Sequence, residues 1–533
     1  MPAGTRAGGG MPGPVDDAQV ASSGVGEIAD ASRKARAMSM LTIGPTPISA
    51  SRYVAAYWTG VQTHSITPAY RLIFRLEIAN RPGMFARVAT TIGARGCSLG
   101  AIDLVEATPQ VHVRDVTVDA PDERTGQLLH EDLQHLEGVN VRSVSDRAFL
   151  MHLGGKIETK GRVQVRTRDD LSLVYTPGVA RICRAIAEDK EKSWKLTIRQ
   201  NSVAVVTDGT AVLGLGDIGP EAAMPVMEGK ALIFAEFAGI TAFPICLDTK
   251  DPEEIVRTVR NIAPAFGGIN LEDIAAPSCF IVERKLRELL DIPVFHDDQH
   301  GTAVVVLAAL RNAAAVVKRG LPELRIVIAG AGAAGISTAR LLRLAGVRDI
   351  TLVDRHGIVN ASRSDENSEK VAAARELGTT RTGTLEDAVE GANVFIGLAG
   401  PRILSIDALH TMSRPRIVFA LANPDPEIDP LVAAAEVDIL ATGRSDYPNQ
   451  VNNSLVFPGV FRGLLDAHAR GVSADIELAA ADALAATVPA HVRSAEYILP
   501  SMFDKDVVPT IAKAVASATR AAGLSRRTAI AEG

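Results

Sequence analysis

The sequence predicts an α/β protein of several domains, and three observations support this fold class. The chain has 533 residues, and a single hydrophobic core stops growing beyond about 250–300 residues. Strand and helix patterns in the order βαββαβ are predicted ahead of residue 150. Acidic residues then follow short apolar strands, and a glycine-rich loop opens a series of strands that alternate with helices, as in a parallel sheet.

Charge and composition exclude several kinds of partner. With 56 Lys+Arg against 62 Asp+Glu, the net charge of -6 favours neither nucleic acid nor an anionic membrane surface, although a local cleft can still bind a small anion. The 4 cysteines lie far apart and lack zinc spacing, which predicts a reduced, cytoplasmic protein. No apolar run reaches the about 18 residues of a membrane helix, and no signal or transit peptide is predicted.

The chain begins with two unlike segments. Residues 1–69 are rich in Gly, Ala, Pro and Ser without a sustained period, so we predict disorder. Residues 70–147 open with an alternating strand that places Leu72, Phe74, Leu76 and Ile78 on one face. A turn and an amphipathic helix follow, and further strands and a helix complete the ferredoxin-like βαββαβ order.

This second segment resembles an ACT domain, in which the first strand, an N-R-P-G turn and the next helix frame a site for an amino acid or another small ligand between paired domains. The resemblance implies a regulatory site at Asn80, Gly83, Met84, Ser98 and Leu99. The alternative is a small dimerisation domain that binds no ligand, because fold alone does not imply function.

Carboxylates gather at two predicted strand ends. Asp297 and Asp298 follow an apolar strand in the stretch DIPVFHDDQHGTA, and Glu272 and Asp273 end another short strand. Like charges this close raise each other's pKa unless a cation offsets them. Three or four carboxylates, without cysteine or a clear set of histidine ligands, suit Mg²⁺ or Mn²⁺ better than zinc.

Two further side chains are candidates for acid–base chemistry. Lys230 precedes an apolar run, where burial and any nearby cation would lower its pKa and make it a usable base. The alternative is a lysine whose ammonium group reaches the surface. Tyr175 precedes a Thr-Pro-Gly turn, which would let its ring project from irregular backbone, although packing is the alternative role.

A dinucleotide-binding fingerprint comes next. The loop that follows the strand at 325–329 and opens a helix contains Gly330, Gly332, Ala333, Ala334 and Gly335, the context that the Rossmann G-x-G-x-x-G motif requires.

Coenzyme choice depends on the end of the second strand. Asp354 stands about 20 residues beyond the loop, where an acid binds a ribose hydroxyl of NAD, whereas the adjacent Arg355 could accommodate the 2′-phosphate of NADP. The sequence predicts NAD, with NADP as the alternative. Asn423 and Asn453 also lie at strand ends, where open α/β sheets bind ligands.

Taken together and in this order, VYTPGVA, TDG with LGLGDIG, EGK, LEDIA, HDDQHGTA, GAGAAG, ALANPDPE and QVNNSLVFPG resemble the malic enzymes of the shorter bacterial kind. The resemblance covers about residues 151–515. It implies a substrate and metal domain at 151–305, a Rossmann NAD-binding domain at 306–475 and a helical C-terminal segment at 476–533.

The resemblance also implies a reaction, the oxidative decarboxylation of (S)-malate to pyruvate with reduction of NAD(P), and a role for each matching residue. The implied roles are acid–base catalysis by Tyr175 and Lys230, orientation of Lys230 by Asp297, binding of Mg²⁺ or Mn²⁺ by Glu272, Asp273 and Asp298, and binding of substrate and coenzyme by Asn423, with Asn453 also on the substrate. The larger eukaryotic enzymes have an arginine after TDG that grips malate. This chain has Thr210-Ala211 there, so another group must bind that carboxylate.

Two other functions remain open at this point. One is a metal-independent, ACT-regulated dehydrogenase of amino acids or hydroxy acids, and the other is an inactive ligand-sensing homologue. In each case we expect a homodimer or a higher homo-oligomer, with a small metabolite as effector.

Overall fold

Three β-sheets organise the chain in the computed structural model, which describes residues 70–212, 214–363 and 368–526. The predicted disorder of residues 1–69 lies outside the described residues. The strands are β1 (Arg71–Ala79), β2 (Ser98–Ala107), β3 (Val111–Asp119), β4 (Val139–Asp146), β5 (Ser202–Thr207), β6 (Thr241–Cys246), β7 (Gly268–Leu271), β8 (Val294–His296), β9 (Arg325–Ala329), β10 (Asp349–Asp354), β11 (Gly357–Ile358), β12 (Val394–Gly397), β13 (Ile417–Ala420) and β14 (Ile439–Thr442).

Helices connect and cover these sheets. They are α1 (Met84–Ala94), α2 (Glu123–Gln134), α3 (Arg147–His152), α4 (Arg168–Val174), α5 (Val179–Glu188), α6 (Ser193–Leu196), α7 (Pro220–Ala238), α8 (Pro252–Ile262), α9 (Ser278–Leu289), α10 (Thr302–Val316), α11 (Ala333–Leu344), α12 (Ser368–Leu377), α13 (Leu385–Val389), α14 (Ile406–Thr411), α15 (Pro430–Ala433), α16 (Phe457–Asp466), α17 (Ala474–Ala486) and α18 (Val507–Ala521). Short 3-10 turns lie at Lys190–Lys192, Ile198–Asn201, Ala263–Ala265, Leu321–Glu323 and Asn453–Leu455, and one π-helical turn at Asp297–Gly301. No helix of the described ranges is both long enough and apolar enough to cross a membrane.

The first sheet is antiparallel, has the strand order β2-β3-β1-β4, and follows the βαββαβ element order. Phe74, Leu76 and Ile78 are buried, on the side that packs against α1 and α2. The alternation of apolar residues in β1 therefore predicts the buried face correctly. Strand β2 lies at the edge of the sheet and is exposed along its whole length.

The second sheet is parallel, with the order β6-β5-β7-β8. All six residues of β5 are buried, as expected for a strand covered on both faces. Because β7 and β8 are parallel neighbours, the residues that follow them, Glu272 and Asp297, meet at the same edge. The prediction that acidic residues end these strands is confirmed.

The third sheet has the order β11-β10-β9-β12-β13-β14 and is parallel apart from β11. Strand β9 lies in its interior, between β10 and β12, and the strand order reverses direction there. In doubly wound sheets this switch point is where ligands bind. The glycine loop begins at Gly330, directly at the carboxyl end of β9.

The C-terminal helices return to the second sheet. Phe457 and Phe461 of α16 make edge contacts with Phe234 of α7, and Phe461 also contacts Phe295 of β8. One continuous apolar core therefore contains residues of the second sheet, of the third sheet and of the C-terminal helices. This packing positions the turn at Asn453–Leu455 beside the acidic strand ends.

Candidate active site

A cavity of about 980 Å³ is lined by residues from both parallel sheets. Carboxylates from the ends of β7 and β8 lie on one side, and the glycine loop after β9 lies on another. The lining residues include His152, Lys156, Ala211, Lys230, Glu272, Asp273, Asp298, Gly332, Ala333, Ala334, Asn423 and Asn453. The structure therefore brings the predicted lysine, acidic residues, glycine loop and asparagines to one place.

Three carboxylates form a compact cluster. Glu272, Asp273 and Asp298 each offer an oxygen, and these atoms lie within 4.8 Å of one another. The backbone N–H of Asp273 donates to Asp298 Oδ2 at 2.8 Å, with Asp273 at a φ of 53°, in the left-handed region that few non-glycine residues adopt. Such strain is characteristic of functional sites. Here the left-handed backbone of Asp273 directs its N–H toward the carboxylate of Asp298.

Lys230 is buried among these carboxylates. Its Nζ lies 2.5 Å from Asp297 Oδ2 and 2.8 Å from Glu272 Oε1, and 4.2 Å from the centre of the Phe457 ring. The surface alternative considered from sequence is therefore wrong. Burial opposes the charged form, but Asp297, Glu272 and Asp298 outweigh it and raise the pKa of Lys230 above its usual value. The predicted lowering of this pKa is wrong for the protein alone.

The cluster is short of positive charge. Four carboxylates, Glu272, Asp273, Asp297 and Asp298, surround the single ammonium group of Lys230. Burial is the main cause that raises the pKa of the three clustered acids. Repulsion among the carboxylates raises it further, and the attraction of Lys230 only partly opposes both effects. Asp273 Oδ2 is buried and makes no hydrogen bond among the described residues. An oxygen-rich site with four carboxylates and one ammonium group fits a hard divalent cation.

Asp297 is held by the π-helical turn that it begins. It is fully buried, and a Cβ added to Gly301 would lie 1.9 Å from its Oδ1. Burial raises the pKa of Asp297 to about 7, with Glu272 adding to the effect of burial and Lys230 opposing it. The turn thus has space for the carboxylate only because residue 301 has no side chain.

The glycine loop has the geometry of a dinucleotide site. Gly330 has a φ of 115°, and a Cβ there would lie 2.3 Å from Leu398 O. A Cβ on Gly335 would lie 1.7 Å from Gly330 O, so helix α11 can approach the strand only with glycine. Gly332 has open space where its Cβ would be, on the cavity wall. These are the three roles of the glycines in pyrophosphate-binding loops.

Asp354 ends β10 as predicted but is not alone. Its oxygens lie 3.0 Å from Arg363 and 2.6 Å from Lys370. Burial raises its pKa, but the hydrogen bonds from Lys370 and Arg363 lower the pKa below its usual value overall. The carboxylate is therefore ionised and largely neutralised. Arg355 beside it is exposed and hydrogen-bonds His356.

The loop that carries Thr210 and Ala211 has a structural role. Thr210 Oγ1 donates to Asp208 at 2.6 Å and accepts from the N–H of Ala275 at 2.9 Å. Ala211 N–H donates to Asp273 O at 3.0 Å. These bonds tie the loop to the acidic strand end without offering a cation to the substrate.

Lys156 is a functional candidate that sequence reasoning missed. It lines the cavity, and its Nζ lies 2.6 Å from Pro225 O and 2.9 Å from His152 Nε2. An ammonium group has three donors, so one remains after these two bonds. The only available signal was a lysine in an otherwise unremarked linker, and its position depends on contacts distant in sequence.

The structure does not bring two predicted groups into a site within one chain. Tyr175 is 67% exposed and does not line the cavity. The predicted regulatory residues also lie apart. Asn80 and Gly83 follow the end of β1, whereas Ser98 and Leu99 pair with the part of β3 that pairs with the start of β1. Asn80 donates to Thr108 O and Pro109 O. Met84 is buried.

The fold and cavity define a class: α/β proteins in which a carboxylate cluster and a Rossmann-type glycine loop share one cavity. Residues 154–287 match the family described as malic enzyme, N-terminal domain, and residues 299–520 match malic enzyme, NAD binding domain. The chain is 53% identical over 460 residues to the NAD-dependent malic enzyme of Geobacillus stearothermophilus, covering 86% of this chain and 96% of that protein. It belongs to the malic enzyme family.

Other relatives differ in coenzyme. The NADP-dependent malic enzyme of Escherichia coli is 44% identical, and the match covers 70% of this chain and 51% of that protein. Among solved structures, the NAD-dependent malic enzyme of Thermotoga maritima has a TM-score of 0.67 and 46% identity, covering 70% of this chain and 99% of that chain. The family therefore includes both coenzyme preferences.

Proposed function

We propose that the protein catalyses the oxidative decarboxylation of (S)-malate to pyruvate and CO₂ with reduction of NAD, and that it depends on a divalent cation. The observation that carries the proposal is the shared cavity, in which Glu272, Asp273 and Asp298 lie within 4.8 Å of one another beside Lys230 and the loop at Gly332. Family membership supports the same reaction. Neither a metal-independent dehydrogenase nor an inactive sensor accounts for this buried acidic cluster.

Glu272, Asp273 and Asp298 are the proposed cation ligands. A bound Mg²⁺ or Mn²⁺ ion supplies Lewis-acid polarisation of substrate oxygens, and hydride acceptance is the chemistry that a bound nicotinamide supplies. The Gly330–Gly335 loop, with Ala333 and Ala334 at the start of α11, would take the pyrophosphate on backbone N–H groups. Asp354 and Arg355 would face the adenosine ribose.

Lys230 and Asp297 are proposed to act as one proton-transfer unit. Lys230 can accept the proton of the malate hydroxyl only after its own proton has moved to Asp297 Oδ2, which lies 2.5 Å away. Asp297 is the hydrogen-bonded acceptor for that proton, and burial raises its pKa and so makes it a stronger base than an ordinary carboxylate. A bound dinucleotide would accept the C2 hydride, and the β-keto acid formed in this way would lose CO₂. Tyr175 is the proposed proton donor to the C3 carbon left behind.

Substrate binding is proposed to use amide and ammonium donors. Asn423 and Asn453 line the cavity and can donate to one carboxylate of malate. Lys156 is proposed to replace the missing arginine, because it is a basic side chain that lines the same cavity and has one donor beyond its two hydrogen bonds.

The direct test is malate-dependent reduction of NAD, measured after chelation and again after adding Mn²⁺. We expect a rate only with the cation. Lys230→Ala should slow both malate oxidation and oxaloacetate reduction by about 10²–10⁴-fold, whereas Tyr175→Phe should spare oxaloacetate reduction. Unchanged turnover in chelator would exclude the cation, and equal losses in Tyr175→Phe would exclude the division of roles.

We also propose that residues 70–147 form an ACT-type regulatory domain. The βαββαβ order with a four-stranded antiparallel sheet supports it. The 460-residue match to the Geobacillus stearothermophilus enzyme is too long for the two family domains alone, so that relative shares part of this region.

A further inference from the structure

A buried glutamate holds the π-helical turn from outside the active-site cavity. Glu283 lies on α9, is 6% exposed, and lines a second cavity of about 400 Å³ that shares no lining residue with the active-site cavity. It accepts a hydrogen bond from the His296 N–H at 3.2 Å and lies 2.9 Å from His300 Nε2. Asp297 and Asp298 lie between these two histidines in sequence, so one carboxylate holds both ends of the segment that carries them.

A second buried carboxylate completes this network. Glu477, on α17, lies 2.9 Å from His300 Nδ1. Arg287 Nη2 lies 2.9 Å from Glu283 and 3.8 Å from Glu477. The two carboxylates therefore face two basic side chains and connect α9, the turn and α17. Buried polar groups that are paired in this way hold one arrangement, because a displaced group would lose its partner without gaining water.

The turn needs support from outside because like charges crowd it. Its two acids, Asp297 and Asp298, lie close to Glu272 and Asp273, with Lys230 as the ammonium group among them. Repulsion among the carboxylates favours their separation. The hydrogen bonds to the residues on either side of the two aspartates come from outside this cluster and oppose that separation.

We propose that Glu283 is a positioning residue for cation binding and proton transfer. It holds the backbone from which Asp298 reaches the cation ligands and Asp297 reaches Lys230. Glu477 supports the same turn from α17. The inference rests on the proposed function, which gives the two aspartates their roles. It adds a residue that does not itself line the active-site cavity.

The first test replaces Glu283 by glutamine, which has nearly the same size but no charge. Glu283→Gln should weaken Mn²⁺ binding and lower kcat for malate oxidation by about tenfold or more each, since residues that orient metal ligands usually contribute about 10–100-fold. Binding of NADH should not change, because the glycine loop belongs to the third sheet. Calorimetric titration with Mn²⁺, NADH fluorescence and steady-state rates at saturating Mn²⁺ measure these quantities.

Glu427→Gln is the matched control, because Glu427 is a fully buried glutamate of the third sheet's domain that also accepts backbone N–H groups. A loss of stability in either variant appears as a lower melting temperature in the absence of the cation. Only Glu283→Gln should also weaken Mn²⁺ binding, measured well below that temperature. If Glu283→Gln melts earlier but binds Mn²⁺ and turns over like the wild type, Glu283 stabilises the fold alone and the inference is wrong.

Glu477→Gln provides an independent test if Glu283→Gln does not fold. It removes the second carboxylate beside His300 and should weaken Mn²⁺ binding by about tenfold. In that case, wild-type affinity for Mn²⁺ in Glu477→Gln would contradict the inference. A wild type that neither binds Mn²⁺ nor needs it for malate oxidation would instead contradict the proposed function.

Discussion

Asp298 decides whether the acidic cluster can hold a cation, because it is the acid of the cluster that remains 32% exposed and faces the cavity. Asp298→Asn removes one ligand charge and should lower malate oxidation by about 10²-fold or more. Mn²⁺ should raise the melting temperature of the wild type, because it binds the folded state. Asp298→Asn should remove this rise. Calorimetry with and without Mn²⁺ measures this.

Asp407→Asn is a suitable control for that change, since Asp407 is exposed on α14. It should keep both the rate and the melting response to Mn²⁺. A normal melting response in Asp298→Asn would show that the cation binds elsewhere.

Lys156 tests how malate is held without the arginine of larger enzymes. A hydrogen bond to a charged group contributes about 1.5–3 kcal/mol, so Lys156→Gln should raise the KM for malate by roughly tenfold or more and change kcat less. Steady-state kinetics at saturating NAD give both constants. Lys160→Gln, four residues further along at an exposed position, should leave KM unchanged. An unchanged KM in Lys156→Gln would mean that another group binds the carboxylate.

Asp354 tests coenzyme preference, which differs among the relatives. Its negative charge repels a 2′-phosphate, so we expect a higher kcat/KM with NAD than with NADP. Because Arg363 and Lys370 neutralise the carboxylate in part, we also expect a low but measurable rate with NADP. Asp354→Asn should shift the ratio toward NADP by about tenfold, or 1.4 kcal/mol. Asp349→Asn at the opposite end of β10 is the control. A wild-type preference for NADP would overturn the prediction.

Among the secondary-structure elements, the π-helical turn at Asp297–Gly301 leaves no room for a side chain on its glycine. Gly301→Ala would place a methyl group 1.9 Å from Asp297 Oδ1 and displace the carboxylate from Lys230, although the backbone φ of -62° suits alanine. We expect a large fall in kcat with little change in coenzyme binding. Gly93→Ala, in α1 with open space around its Cβ, should be neutral. Full activity of Gly301→Ala would mean that Asp297 need not be fixed.

The sequence predicts the strands better than the site, because strand bounds depend on local residues and the site depends on residues far apart in the chain. The bounds of β5 and β9 follow from continuous apolar runs, and the acidic strand ends follow from parallel neighbours. The pKa of Lys230 in α7 could not be predicted, because it depends on carboxylates that follow β7 and β8, far along the chain. The exposure of Tyr175 could not be predicted either, because the motif around it specifies a local turn and not what covers it.

In the whole molecule, the four-stranded antiparallel sheet precedes a catalytic unit that contains its own complete core. Asn80 and Gly83 lie at one end of β1 and Ser98 and Leu99 near the other, about 26 Å apart at about 3.3 Å per strand residue. One ligand cannot contact both groups in a single domain. A shared site therefore requires two domains, for which the exposed edge strand β2 offers a pairing surface.

A regulatory ligand at such a site would act only if it bound the active and inactive arrangements with different affinity, and such coupling is usually about 1–3 kcal/mol, or 5- to 150-fold. We expect at least one amino acid or small carboxylate to change malate oxidation by the full-length chain within this range. A chain that starts at Ala148 should keep its activity and lose the response, and full-length Asn80→Ala should weaken the response without changing the basal rate. If no metabolite shifts the full-length enzyme, or if the shortened chain responds equally, the domain does not regulate this reaction, and the paired sheets would serve assembly alone.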